Sequence, residues 1–232
     1  MKHPLKRIMM TTPDNRRAVI FDLDDTLYPE IDYLHSSFRE IDRRLAASGV
    51  TRPGEALAVM TGTDGNAFDA LALMLDRRGH ADALSIPGMV EIYRNHRPDI
   101  SLPADSLAVL KGLKERGIGM GIITDGRVGT QSAKIEALGL GRFIDRRHVI
   151  ISEAIGHDKL SPEPFIMMQL AMPGVEKFTY VGDNPAKDFT WPDRLGWDTI
   201  CLRSRGQNIH PQPLDRLPPS TVIIDRLTDL LN

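Results

Sequence analysis

Residues 18–26 read AVIFDLDDT, an apolar run from Ala18 to Leu23 that is interrupted and then ended by carboxylates. Such a run, short and continuous, is the pattern of a strand buried on both faces of a parallel sheet. Comparable runs follow at Ile118–Thr124 (IGMGIIT), His148–Ser152 (HVIIS), Phe178–Gly182 (FTYVG), Trp197–Leu202 (WDTICL) and Val222–Ile224 (VII), with helical stretches between most neighbours. Strands alternating with helices require crossover connections, so the chain is expected to form an α/β fold, a doubly wound parallel sheet with helices on both faces.

Between the first run and the second lie about a hundred residues without a convincing strand, too many for an ordinary crossover. Ile31, Leu34, Phe38, Ile41 and Leu45 step by three and four, which makes one apolar seam on a helix whose other faces carry Arg39, Glu40, Asp42 and Arg43. Phe68, Leu71, Ala72 and Leu75 mark a second helix and Val90–His96 a third. Residues 28–100 therefore read as a small all-helical subdomain inserted into a core made of residues 1–27 and 101–232. Pro98 and Pro103 mark the return to that core, where Ala104–Arg116 reads as a helix ended by Gly117. Gly206–Pro219, with four prolines and few apolar residues, reads as a surface loop.

The 232 residues carry 29 Lys and Arg against 31 Asp and Glu, a net charge of −2, and are 41% hydrophobic. That balance fits a globular protein with a sizeable core and gives no electrostatic footprint for nucleic acid, since the Arg pairs at 16–17, 43–44, 77–78 and 146–147 are scattered among acids. One cysteine, Cys201, excludes an intrachain disulfide framework and fits a reducing compartment. At the N-terminus the only apolar run is Ile8-Met9-Met10, too short for a signal peptide or a membrane span, so a cytoplasmic location without membrane attachment is expected.

In open α/β sheets, ligands sit beyond the carboxyl ends of the strands. The polar residues at those ends are Asp22, Asp24 and Thr26, then Thr124, Asp125 and Gly126, then Asp183 and Asn184, with Lys159 after the third run. Asp22 and Asp24, two apart in extended chain, fall on one side and repel unless a cation neutralises them. With Asp183 they make an all-oxygen donor set of the kind Mg²⁺ prefers. Lys159, the Thr124 hydroxyl and the backbone N–H groups that begin the helix near Thr130–Leu138 complement an anion beside it. Together they describe a pocket for a phosphoryl group.

These residues resemble the haloacid dehalogenase superfamily, specifically its phosphatase branch. The DxDx[TV] motif of that family stands as Asp22-Leu23-Asp24-Asp25-Thr26 and its strand-ending Thr or Ser as Thr124. Its lysine stands as Lys159, with Pro162 and Phe165 following, and its GDxxxxD motif runs from Gly182 and Asp183 to Asp188. The four motifs occur in family order, and the resemblance covers residues 17–27 and 101 to about 205 more firmly than the insertion. It implies a Rossmann-like core of the haloacid dehalogenase type, with the helical insertion as a cap that selects substrate. Two positions depart from the family pattern: Leu160 stands where proline is usual after the lysine, and Asp125 where Asn, Ser or Gly is common.

The resemblance also implies roles. Asp22 is the nucleophile that forms an aspartyl-phosphate, and Asp24 protonates the leaving oxygen and then deprotonates water. Mg²⁺ is held by the side chains of Asp22 and Asp183 with the Asp24 carbonyl, and Thr124 and Lys159 bind the phosphoryl oxygens along with backbone at Asp125 and Gly126. Asp188 and Asn184 support the site, Asp188 by orienting Lys159 or a metal-bound water, and Thr26 fixes the loop that carries Asp24. Arg127 is a candidate contact for an anionic substrate; Tyr28 and Glu30 lie on the hinge side, and Arg52, Asp64, Asn66 and His96 are polar candidates to face the cleft. The aspartate at position 24 supplies acid–base chemistry that carbon–halogen dehalogenases lack. The expected activity is Mg²⁺-dependent hydrolysis of a small phosphorylated metabolite, a sugar phosphate or a nucleotide.

Alternatives within the family are a phosphomutase, disfavoured because Asp25 occupies a position where mutases commonly have Gly, and a catalytically silent protein-binding relative, against which every motif residue is present. A receiver-type signalling domain carries its phosphorylated Asp on a later strand and closes its series with Lys, whereas here Asp183 follows Lys159. A P-loop kinase is excluded because no GxxxxGK[ST] occurs.

Overall fold

The computed structural model describes residues 15–231, so the N-terminal stretch read above as too short for a membrane span lies, up to Asp14, outside the described residues. The chain divides into two compact units, one running to Glu30 and resuming at Ser101, the other Ile31–Ile100.

The helical unit contains α1 (Glu30–Ala47), α2 (Glu55–Thr61), α3 (Ala67–Arg77) and α4 (Ile86–Asn95). Its core joins Phe38, Ile41 and Leu45 of the α1 seam to Ala56 and Met60, Leu71 and Leu75, and Met89 and Ile92. Helix α2 has no local signal because its cap comes from elsewhere: Gly54 sits at its start with φ of 84°, and the buried Asp42 carboxylate of α1 accepts the N–H groups of Gly54 (2.8 Å), Ala56 (3.0 Å) and Leu57 (3.2 Å). The third expected helix begins four residues earlier than its seam suggested, at Ile86, where Ser85 caps the N–H of Gly88. Three of the polar positions singled out here have local structural partners. Arg52 pairs with Glu55, Asn66 caps α3 through the N–H groups of Phe68 and Asp69, and His96 lies buried between the Tyr93 carbonyl and Ser36 Oγ, each at 3.0 Å.

The other unit is a six-stranded sheet flanked by helices. Its strands are β1 (Arg17–Phe21), β2 (Gly119–Thr124), β3 (Val149–Ile151), β4 (Lys177–Gly182), β5 (Asp198–Leu202) and β6 (Val222–Ile224), in the order β3-β2-β1-β4-β5-β6 with every neighbour parallel. Each strand lies on one of the six apolar runs, with ends moved by no more than two residues. Between them come α5 (Ala104–Glu115), α6 (Val128–Ala137), α7 (Ser152–Ile155), α8 (Glu163–Ala171) and α9 (Thr190–Arg194). Alternate strand residues Ala18, Ile20, Ile123, Phe178 and Tyr180 pack with Phe165 and Met168 of α8 and with Trp197, which stacks on Phe178 at 4.6 Å.

The strand order determines where a ligand can enter. From β1 the chain winds outward to β2 and β3, then returns to β4 on the other side, so the carboxyl ends of β1 and β4 flank the point where the crossovers diverge. Pairing of β1 with β4 continues one residue past the strand, where the Asp22 N–H donates to the Val181 carbonyl (2.9 Å). No helix among the described residues is long and apolar enough to cross a membrane.

Candidate active site

Beyond the last rung of β1 the chain turns sharply. Asp25 adopts a left-handed φ of 53°, unusual for a residue with a side chain, and its carboxylate compensates by accepting the N–H of Glu30 (2.9 Å) and of Ile209 (3.2 Å). The turn leaves Asp22 buried at the floor of an open cavity of about 220 Å³, which Asp24, Thr124, Lys159 and Asp183 also line.

Lys159, 3% exposed, places its Nζ 2.9 Å from Asp22 Oδ1 and 2.6 Å from Asp188 Oδ1. Its loop is held without the proline usual at position 160. The Lys159 N–H donates to Asp125 Oδ1 (3.1 Å), the Leu160 N–H to Asp158 Oδ1 (3.0 Å), and the Leu160 carbonyl accepts from Trp191 Nε1 (2.7 Å). The second of these bonds is one that a proline could not make. Asp125 anchors the lysine loop and also pairs with Lys187 at 3.2 Å.

At the end of β4, Gly182 is required by its neighbour, since a Cβ there would collide with the Asp188 carboxylate. Asp188 is fully buried; its Oδ2 accepts the N–H groups of Asp183 (3.2 Å) and Asn184 (2.8 Å), and its Oδ1 meets Lys159. Asp22, Asp183 and Asp188 each bring a carboxylate oxygen within 4.8 Å of the other two. Burial pushes the Asp22 carboxyl well up, with Lys159 opposing and Asp188 and Asp183 reinforcing; burial, then Asp188 and Asp25, pushes Asp183 to about 7. The Lys159 ammonium is held well above its ordinary range because Asp188 and Asp22 outweigh the burial that works against it. Lys159 pairs with Asp22 and Asp188, the cluster's donors are all oxygen, and a hard divalent cation would relieve the mutual repulsion that helps raise Asp22 and Asp183, so the residues fit such an ion.

The Asp24 side chain lines the same cavity and has its own set of partners. Its Oδ1 accepts from Tyr28 Oη (2.6 Å) and Lys134 Nζ (2.7 Å), and its Oδ2 from Gln131 Nε2 (2.9 Å), which also donates to Thr124 Oγ1 (2.6 Å). Lys134 stands 3.9 Å from Glu30 as well; burial, then Asp24, pushes the Glu30 carboxyl to about 7. Sequence reading missed Gln131 and Lys134. The available signal was a pair of polar residues three apart on the helix that follows Thr124, which face the same way.

Several expectations differ from the structure. The Gly126 N–H, expected to face an anion, donates to Ser152 Oγ (2.9 Å), and the first N–H of α6, at Val128, donates to Glu153 Oε2 (2.7 Å). An acidic side chain thus occupies the helix start that was read as an anion seat. Arg127 is exposed, 3.9 Å from Glu153, and does not line the cavity. Two further expectations are not at odds with the structure: the Asp125 carboxylate anchors the lysine loop, and Asn184 accepts the Ala186 N–H (3.0 Å) in the turn after β4. Thr26 Oγ1 is buried with no hydrogen-bond partner among the described residues, so any hold it has on its loop comes from packing.

The Gly206–Pro219 stretch, read as a surface loop, returns to the site. Asn208 Nδ2 donates to Asp183 Oδ2 (2.6 Å), Gln212 Nε2 to the carbonyls of Asp183 and Leu202 (2.7 Å each), and His210 lines the cavity. No local pattern foretells these contacts, because they depend on the loop crossing from β5 towards β4.

Residues 19–201 match the family model described as haloacid dehalogenase-like hydrolase. The chain is 30% identical over 228 residues to a glyceraldehyde 3-phosphate phosphatase of Methanopyrus kandleri, covering 93% of this chain and 96% of that protein. It is 25% identical over 254 residues to a ribulose-1,5-bisphosphate 5-phosphatase of Halopiger xanaduensis, covering 93% and 99%. Among solved structures, the magnesium-bound HAD-hydrolase YfnB of Bacillus subtilis superposes with a TM-score of 0.60 at 19% identity, covering 93% of this chain and 98% of that one, a likeness of fold. With the motif residues gathered at the carboxyl ends of β1, β2 and β4, the chain belongs to the haloacid dehalogenase-like hydrolase family, in its phosphatase branch.

Proposed function

We propose that the protein hydrolyses the phosphate monoester of a small phosphorylated sugar through an aspartyl-phosphate on Asp22, with Mg²⁺ as cofactor. The observation that carries this reading is the contact of Lys159 Nζ with both Asp22 Oδ1 and Asp188 Oδ1 inside a buried acidic cluster. A carboxylate so placed faces an anion-neutralising ammonium at the floor of a cavity, where phosphorus can be approached. The relatives named for phosphorylated sugars support the substrate class over a nucleotide.

Asp22 and Asp183, with the Asp24 main-chain carbonyl, would hold the cation; Asp188 is already engaged by Lys159 and two backbone N–H groups. When bound, Mg²⁺ would offset the carboxylate charge and polarise a phosphoryl oxygen. Lys159 neutralises phosphoryl oxygens, and the Thr124 hydroxyl donates to one. Asp22 forms the bond to phosphorus while Asp24 delivers a proton to the departing sugar oxygen; Asp24 then takes a proton from the water that releases phosphate. The helical insertion, by its place in the chain between Asp24 and Thr124, is the proposed cap.

Phosphate release from sugar phosphates, nucleotides and p-nitrophenyl phosphate, with Mg²⁺ and then EDTA, tests the reading. Metal-dependent release that favours triose or pentose phosphates is expected. Equal rates in EDTA would remove the cation from the account, and preference for nucleotides would overturn the substrate class.

A further inference from the structure

The contacts around Asp24 involve two buried side chains that none of the family motifs contains. Lys134 and Gln131 are each 2% exposed, and both project from α6 onto the same carboxylate. A buried lysine is costly unless paired, and here its partner is the proposed acid–base group. The amide of Gln131 presents its NH₂ end to Asp24 Oδ2 at 2.9 Å. Its second hydrogen then goes to Thr124 Oγ1 at 2.6 Å. A hydroxyl that accepts from Gln131 is left to point its own hydrogen elsewhere, toward a phosphoryl oxygen in the cavity. Together with Tyr28 Oη, these donors reach both oxygens of Asp24 and leave the side chain little rotational freedom.

The geometry points to Lys134 and Gln131 as positioning residues that act through Asp24, with Gln131 also setting the hydrogen direction of Thr124. The inference rests on the acid–base reading of Asp24 given above. A proton donor matters most when the leaving group is a poor one, so loss of its positioning should depend on the leaving group. A residue that only stabilises the fold has no reason to distinguish one leaving group from another.

The test compares kcat/KM for glyceraldehyde 3-phosphate, an alkyl ester, with p-nitrophenyl phosphate, whose phenolate departs without help, in Lys134→Met, Gln131→Met and Asp24→Asn. Lys134→Met is expected to lose on the order of 10- to 100-fold on the alkyl ester and less than about threefold on the aryl ester, with Lys134→Arg restoring part of the loss; Gln131→Met, which also releases the Thr124 hydroxyl, is expected to lose on both esters and about tenfold more on the alkyl one. Gln131→Met keeps the test open if Lys134→Met fails to fold. Equal losses on both esters in the folded variants, while Asp24→Asn discriminates between them, would overturn the positioning role. Failure of Asp24→Asn itself to discriminate would instead overturn the acid–base reading.

Discussion

At the scale of single residues, the site is a set of close approaches that tolerate little change. Gly182 leaves room for the Asp188 carboxylate, so Gly182→Ala must displace a buried charged group; we expect it to lose about 1–3 kcal/mol in urea denaturation together with most activity. Lys159→Met removes the ammonium between two buried carboxylates and should destabilise the fold by about 3–5 kcal/mol at neutral pH, with turnover falling by roughly 100-fold or more. Unchanged stability in that variant would mean that the cluster is compensated by another cation. Asp25→Gly relieves a left-handed backbone but gives up the bonds to Glu30 and Ile209, and the two effects nearly cancel in stability. Its consequence should therefore be read in activity, as a fall in kcat when the β1 turn loosens.

Elements were legible in proportion to how local their causes are. All six strands were evident as apolar runs because parallel strands bury both faces, and the α1 seam was evident because its period is 3.6. Helix α2 was hidden because Asp42 caps it from twelve or more residues away, and the start of α4 was obscured by Pro87 and Gly88 in its first turn. His96, just past α4, makes a separable prediction. Burial pulls its imidazole below the ordinary 6.5, so the folded state favours the neutral ring. The stability this contributes is present above about pH 6.5 and is lost as pH falls through the lower folded-state value. Denaturation at about pH 7.5 and 5.5 should show a smaller acid loss in His96→Gln than in the parent, and identical losses would refute the assignment.

For the molecule as a whole, the topology made the site readable: once the sheet is parallel with β1 at its centre, polar residues at the ends of β1, β2 and β4 must converge. Asp22, Thr124 and Asp183 were legible for that reason, and Lys159 from its place after the third run and the family's lysine motif. Asn208, Gln212 and His210 were not, since the loop carrying them has no period or motif and reaches Asp183 only in three dimensions. Gln131 and Lys134 fell between these cases, visible as a polar pair on a helix but without a partner that sequence could name. The central claim is the covalent intermediate on Asp22. It is tested most directly by acid-quenching the enzyme during turnover of glyceraldehyde 3-phosphate with Mg²⁺ and mapping phosphoryl adducts by mass spectrometry. The account predicts an adduct on Asp22 that Asp22→Asn lacks, with phosphate release abolished in that variant; release at the parent rate from Asp22→Asn, or an adduct on another residue, would contradict it.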